Sequence, residues 1–230
     1  TSLATVRYLY SLPFLFFIIL GNSWFWFYGA TFLTQVPEFS KVILLGDESV
    51  VIFLLTLFSV GVSIGSVLCK TLTKNKVSLR LLPFGIAGLS IFAIDLYFSL
   101  SGLDINVNND TLLGIGDLFN ISGSWRVFAD LFLLGFSGGL YIVPLYASMQ
   151  AYAPKSHRAR IVGANNIFNA IFMVTSAIFA IVILNVLGFT LPQLFLVTGL
   201  LNIVFGAFLY IKLNKHIKHA VSQTNDGIAP

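Results

Sequence analysis

Two carboxylates and one guanidinium stand where the chain is otherwise apolar: Asp95, and then Arg126 and Asp130 one helical turn apart. Ionisable groups inside such runs are costly and mark function more often than ordinary packing. A group of this kind can be a structural ion pair, a proton relay or a contact for a substrate head group. It is poorly equipped for hydrolysis, because no nucleophile or metal-binding set accompanies the carboxylates. The chain holds no H-E-x-x-H, no G-x-S-x-G and no phosphate-cradling G-x-x-x-x-G-K-[ST]. The single cysteine, Cys69, excludes an internal disulfide and a cysteine-rich metal site. His157, His216 and His219 fall in a connection or the tail, where solvated surface is the ordinary reading. Asp104, Asn106 and Asn108 imitate the start of a calcium loop. However, Asn109 occupies the glycine position and Ile115 that of the bidentate glutamate, so a plain loop is expected. No enzyme, cofactor or metal is expected.

The elements that position these groups follow from periodicity. On a helix advancing about 100° per residue, Arg126, Asp130, Ser137, Tyr141 and Ser148 share one narrow stripe. Gly135, Gly138 and Gly139 lie opposite, a smooth face that lets a neighbouring helix approach closely. The stripe is expected to line a polar path; its rival role is to satisfy itself by helix–helix hydrogen bonds. Near the N-terminus Trp24, Tyr28, Thr31 and Gln35 share a face, with Asn22 and Trp26 on another. Farther on, Thr56, Ser59, Ser63, Ser66 and Lys70 align opposite the close-packing pair Gly61 and Gly65. Asn165, Asn166 and Asn169 open another run and suit capping or a hydrogen bond to a neighbouring helix. The last run has only Thr198, Gly199, Asn202 and Gly206 as polar or small features and reads as a packing helix.

The chain is 57% hydrophobic and 10% charged, whereas soluble domains carry about 25% charge; it reads as an all-α integral membrane protein. Six spans are expected, at about 8–35, 49–69, 81–100, 125–151, 162–187 and 191–211, each of a length that crosses roughly 30 Å of hydrocarbon. The tail from 212 to 230 is expected to be disordered. The first run, from Tyr8 to Gln35, is too long for a secretory signal. Arg7, then Lys70, Lys74, Lys76 and Arg80, then Lys155, Arg158 and Arg160, then Lys212, Lys215 and Lys218 fall on one side. Glu38, Asp47, Glu48, Asp104, Asp110 and Asp117 gather on the other, with only Lys41 and Arg126 as bases. This alternation places both termini in the cytoplasm. Basic residues so placed argue for orientation, not for nucleic acid. The chain opens on Thr1 rather than Met, and is expected to be part of a longer polypeptide.

These residues resemble a known family. Six spans with a basic second connection are similar to one half of a major facilitator superfamily transporter. The stretches N-S-W-F-W-F-Y-G-A (22–30), L-F-S-V-G-V-S-I-G-S-V-L-C (57–69), G-x-S-G-G-L-Y-I-V-P-L-Y-A (135–147) and S-H-R-A-R-I-V-G-A-N-N-I-F-N-A (156–170) resemble its lysophospholipid transporter branch. That branch includes the domain fused to 2-acylglycerophosphoethanolamine acyltransferase. The resemblance implies the C-terminal six-helix half, in a bacterial inner membrane, with an N-terminal half missing from this piece. It implies that the first and fourth spans line the cavity, with Asn22, Trp24, Trp26, Tyr28, Gln35, Arg126, Asp130, Ser137 and Tyr141 as pathway. Gly61, Gly65, Lys70, Lys74, Gly135, Gly138, Gly139, Asn165 and Asn169 would form gates and packing; Asp95, Asp130 and Arg126 stay, on their own chemistry, an ion-pair or proton site. The family's loop signature survives only as Gly65, Lys70 and Lys74, with Cys69 where an Asp is usual. The implied function is lysophospholipid movement by alternating access. Its rivals are a proton-coupled carrier of a small solute and a membrane anchor for an associated acyltransferase.

Overall fold

The computed structural model describes residues 11–103, 105 and 112–225, with side chains described as far as residue 216. The described residues form helices: α1 Pro13–Glu38, α2 Glu48–Leu72, α3 Leu82–Ser101, the short α4 Ile115–Asn120, α5 Ser124–Tyr152, α6 Arg158–Ile181 and α7 Leu191–Asn225. Wider π turns extend α1 over Phe39–Ile43 and α6 over Val182–Val186. All but α4 are long and apolar enough to cross a membrane, so this is an integral membrane protein with six candidate spans. Backbone N–H and C=O groups find no water in hydrocarbon, which is why runs of this composition become helices that satisfy them internally.

Two boundaries differ from expectation. The first span continues past Gln35 to Ile43, although Pro37, Glu38 and Lys41 lower its hydropathy. Pro37 removes one backbone donor, yet the helix persists because these exposed polar residues lie at its end, where water is at hand. The last helix runs unbroken to Asn225, so the segment after Lys212 is not a loose tail over that length. No proline or glycine interrupts it there, and backbone hydrogen bonding simply propagates. The calcium-like triplet Asp104, Asn106 and Asn108 lies outside the described residues. The connection that follows is pinned where Leu113 exchanges backbone hydrogen bonds with Leu45 (2.7 Å) and Asp47 (2.9 Å).

Named contacts fix the direction of each pair. Gly135 of α5 meets Phe58 and Val62 of α2, and Gly139 meets Val62 and Ser66, so the two helices run parallel. In the same way Asn22 pairs with Asn165, and Phe27 packs on Phe179, so α1 and α6 are parallel. Gly21 and Phe25 of α1 meet Tyr141 and Gly138 of α5 in antiparallel order. So do Ile86, Ser90 and Ala93 of α3 with Gly206, Asn202 and Gly199 of α7. Exchanging α1–α2–α3 with α5–α6–α7 interchanges the α2–α5 and α1–α6 pairings and returns α1–α5 and α3–α7 to themselves. Because α1 and α5 are antiparallel, the exchange inverts one three-helix unit relative to the other. Burial obeys the same relation: the most apolar windows of α2 and α6 are each only 22% buried, and α5, at 72%, is the most enclosed span.

Candidate functional site

The fourth span, α5, is held on two sides by glycines. On one side Gly61 and Gly65 of α2 and Gly135 and Gly139 of α5 put backbone against backbone; a Cβ on Gly139 would sit 2.5 Å from both Ser66 N and Val62 O. Gly138 instead meets the Phe25 ring of α1 at 3.1 Å. On the other side the polar stripe meets α3. A Cβ on Gly85 would lie 2.6 Å from Tyr141 N, and Gly88 makes room for the Ser137 hydroxyl. From Asp130 to Tyr141 the stripe is therefore covered and does not face an open path. Ser137 Oγ donates to its own Leu133 carbonyl at 2.7 Å, and Tyr141 Oη to the Gly21 carbonyl at 3.1 Å. The buried Asp130 carboxylate accepts from Ser99 Oγ at 2.9 Å. The physical reason is the small Gly85–Gly88 pair, which draws α3 against this side of α5. That pair is visible in the sequence but has no meaning until its partner helix is known.

Arg126 holds Asp95 through both ends of the carboxylate; Nε donates to Oδ2 at 3.0 Å and the second nitrogen to Oδ1. The guanidinium is in the first turn of α5, about half exposed. There a charged head group can reach water at the span's end, and the pair ties α5 to α3. Among the sequence's three options for these groups, this geometry is that of an ion pair across two helices.

The first span distributes its polar groups in three directions. Tyr28 is buried in packing, with Oη donating to the Leu89 carbonyl of α3 at 2.7 Å. Trp24 turns toward α7: its Nε1 donates to Asn202 Oδ1 at 2.9 Å and its ring stacks on Phe205 at 4.2 Å. Asn202 in turn donates to Ser90 Oγ at 2.9 Å and the Ile86 carbonyl at 3.0 Å, so the last helix carries a polar clasp that its apolar sequence conceals. Gln35 is half-buried near the far end, beside a cavity of about 810 Å³ between α1 and α6. Lys70 and Lys74 are exposed, at the end of α2 and in the turn beyond it.

The third direction forms a polar knot where α1, α5 and α6 meet. Asn22 Nδ2 donates to Asn165 Oδ1 at 3.0 Å and faces Met149 Sδ at 3.7 Å. Ser23 and Asn169 lie 3.0 Å apart. The Asn169 amide satisfies most neighbours with its oxygen toward Trp26 Nε1 (3.1 Å) and Asn165 Nδ2 (3.0 Å) and its nitrogen toward Ser23 Oγ. Trp26 Nε1 also reaches Tyr146 Oη at 3.1 Å. Asn22, Ser23 and Asn165 are fully buried, whereas Trp26 is 38% exposed at the edge of the knot. One acceptor, Asn22 Oδ1, has no partner among the described residues. Leaving such a group unpaired costs about 1–3 kcal/mol. Asn22, Trp26, Asn165 and Asn169 are sequence candidates that the fold brings together. Tyr146 joins them without a sequence signal of its own, since it lies off the Arg126–Ser148 stripe. Among the described residues no three His, Cys, Asp or Glu lie together as a metal set. Compared with known protein families, curated proteins and solved structures, the chain matches none.

Proposed function

We propose that this chain is one six-helix half of a transporter working by alternating access, with a lysophospholipid as its substrate. The inverted relation between α1–α3 and α5–α7 is the observation that carries the reading. Two three-helix units facing opposite ways can exchange conformations across the membrane midplane, and nested three-plus-three inversion is the build of major facilitator halves. The lightly buried α2 and α6 are the equivalent helices of the two units, and their uncovered faces suit a second six-helix half. The substrate class rests on the sequence resemblance, supported by the polar knot. Its buried Asn22 acceptor lacks a partner among the described residues and would accept a head-group N–H or O–H once the knot opens, while Trp26, exposed at its edge, and neighbouring Phe25 offer an apolar wall for a single acyl chain.

Uptake of a fluorescent lysophosphatidylethanolamine by vesicles containing the full-length protein tests this. Tyr146→Phe removes one partly exposed hydroxyl and leaves the packing in place. Several-fold slower uptake is expected; wild-type uptake in that variant would take the knot out of the pathway, and no uptake by the unaltered protein would end the substrate assignment.

A further inference from the structure

At the basic end of the bundle a cavity of about 500 Å³ opens between the ends of α1, α3 and α5, the Tyr210–Asn214 stretch of α7 and the connection before α3. It belongs to neither the polar knot nor the ion pair. Arg80 lines it, exposed and with no ion-pair partner among the described residues, and no carboxylate shares the lining. Ser148 lines it too; this serine is 1% exposed and its hydroxyl has no partner among the described residues. Tyr152, with its ring edge-on to Phe14 at 4.9 Å, and Asn214 add further polar groups beside apolar walls. The composition is that of a site for a phosphate carried on something apolar.

The cavity does not stand alone. Pro83 and Tyr210 border it and also border an apolar groove of about 360 Å³ between α3 and α7. The groove runs along α3 from Pro83 to Ile91, about 12 Å at the helical rise, toward the middle of the membrane. Its floor is low because Gly206, Ala87 and Ala207 project so little. Polar volume at the membrane surface joined to an apolar channel running inward has the shape and polarity of a lipid. We propose that an anionic phospholipid binds here from the surrounding leaflet, its phosphate beside Arg80 and Ser148 and one acyl chain along the α3–α7 groove. Lys70 at the end of α2, with Lys74 and Lys76 in the same connection, adds to the positive field. Basic pockets at helix ends commonly take anionic head groups in this way. The site lies on different helices from the exposed faces of α2 and α6, so it is independent of the transport reading.

The test is native mass spectrometry of the full-length protein released from nanodiscs of equal phosphatidylglycerol and phosphatidylcholine. Preferential retention of phosphatidylglycerol is expected. Arg80→Gln should reduce it on the order of tenfold, the worth of one charge-assisted hydrogen bond, and Arg80→Lys should restore part of it. Ala207→Phe fills the groove from an exposed position and should lower retention several-fold with the head-group site intact. Equal retention of the two lipids, or no effect of Arg80→Gln, overturns the proposal. Inorganic phosphate displacing phosphatidylglycerol as readily as a short-chain phosphatidic acid does would mean an anion site without a lipid, as would an unaffected Ala207→Phe. Both altered side chains are exposed, and an unchanged melting temperature establishes that each variant is folded.

Discussion

Asp47 shows how a single side chain starts a span. Its carboxylate accepts from Ser49 N at 2.8 Å and Val50 N at 3.2 Å, satisfying orphan donors in the first turn of α2. The Ser49 hydroxyl, 2.5 Å away, is the chief reason that its carboxyl is held below the usual carboxylate range, and the two backbone N–H groups act in the same direction. A lowered folded-state value means stabilisation is fully present above the unfolded value of about 3.9 and is lost as pH falls through the folded one. Asp47→Ala should lower the melting temperature in detergent at neutral pH, Asp47→Asn should keep most of the cap, and the Ala deficit should shrink in strong acid. Tyr28 and Tyr141 make the opposite case. Each phenol is buried and donates to a backbone carbonyl of a neighbouring helix. Tyr28→Phe and Tyr141→Phe should each destabilise by about 0.5–1.5 kcal/mol in mixed-micelle unfolding and leave lysophospholipid uptake unchanged. Reduced uptake with unaltered stability would return them to the pathway.

Between elements, close approach depends on missing side chains. The α2–α5 contact is backbone against backbone, so Gly139→Ala has nowhere to place its methyl group, 2.5 Å from Ser66 N. A loss of about 1–3 kcal/mol is expected from this overpacking, with larger residues worse. Gly163, on the exposed side of α6, has nothing beyond its own stretch of helix backbone within 4 Å of the position a methyl group would take. Gly163→Ala should therefore be neutral or stabilise by about 0.4–1 kcal/mol through the unfolded chain. The same unfolding assay reads both; equal effects would mean that α2 and α5 do not touch backbone to backbone. The Gly85–Gly88 pair is the less obvious counterpart, because it closes α3 over the polar stripe of α5 and thereby changes what that stripe can do.

For the molecule as a whole, the proposal of a second half predicts where lipid should be absent. Cysteines placed at exposed Ser63 of α2 and Ala170 of α6 should be shielded from a membrane-soluble paramagnetic probe in the complete polypeptide. Cysteines at exposed Phe84 of α3 and Phe208 of α7 should remain accessible. Equal accessibility of the two sets would mean that these six helices stand alone. The inverted arrangement gives this prediction its direction, since it distinguishes α2 and α6 from the other spans by position and not by composition.

Hydropathy and charge alone determined the membrane class and the six spans, because apolar length and the placement of Lys and Arg in connections are local properties of the chain. Gly61, Gly65, Gly135 and Gly139 were legible as close-packing residues for a similar reason: a helix face without side chains is smooth whatever meets it. What each polar residue faces was not local. Asp130, Ser137 and Tyr141 are buried against α3 and α1, Trp24 turns to Asn202, and Asn22, Trp26, Asn165 and Asn169 gather with Tyr146. Periodicity places residues on a common face but leaves the identity of the opposing helix open. Only the packing of α1 to α7 decides that, because a polar side chain finds its hydrogen-bond partner on another helix, 31 positions away for Asp130 and 178 for Trp24.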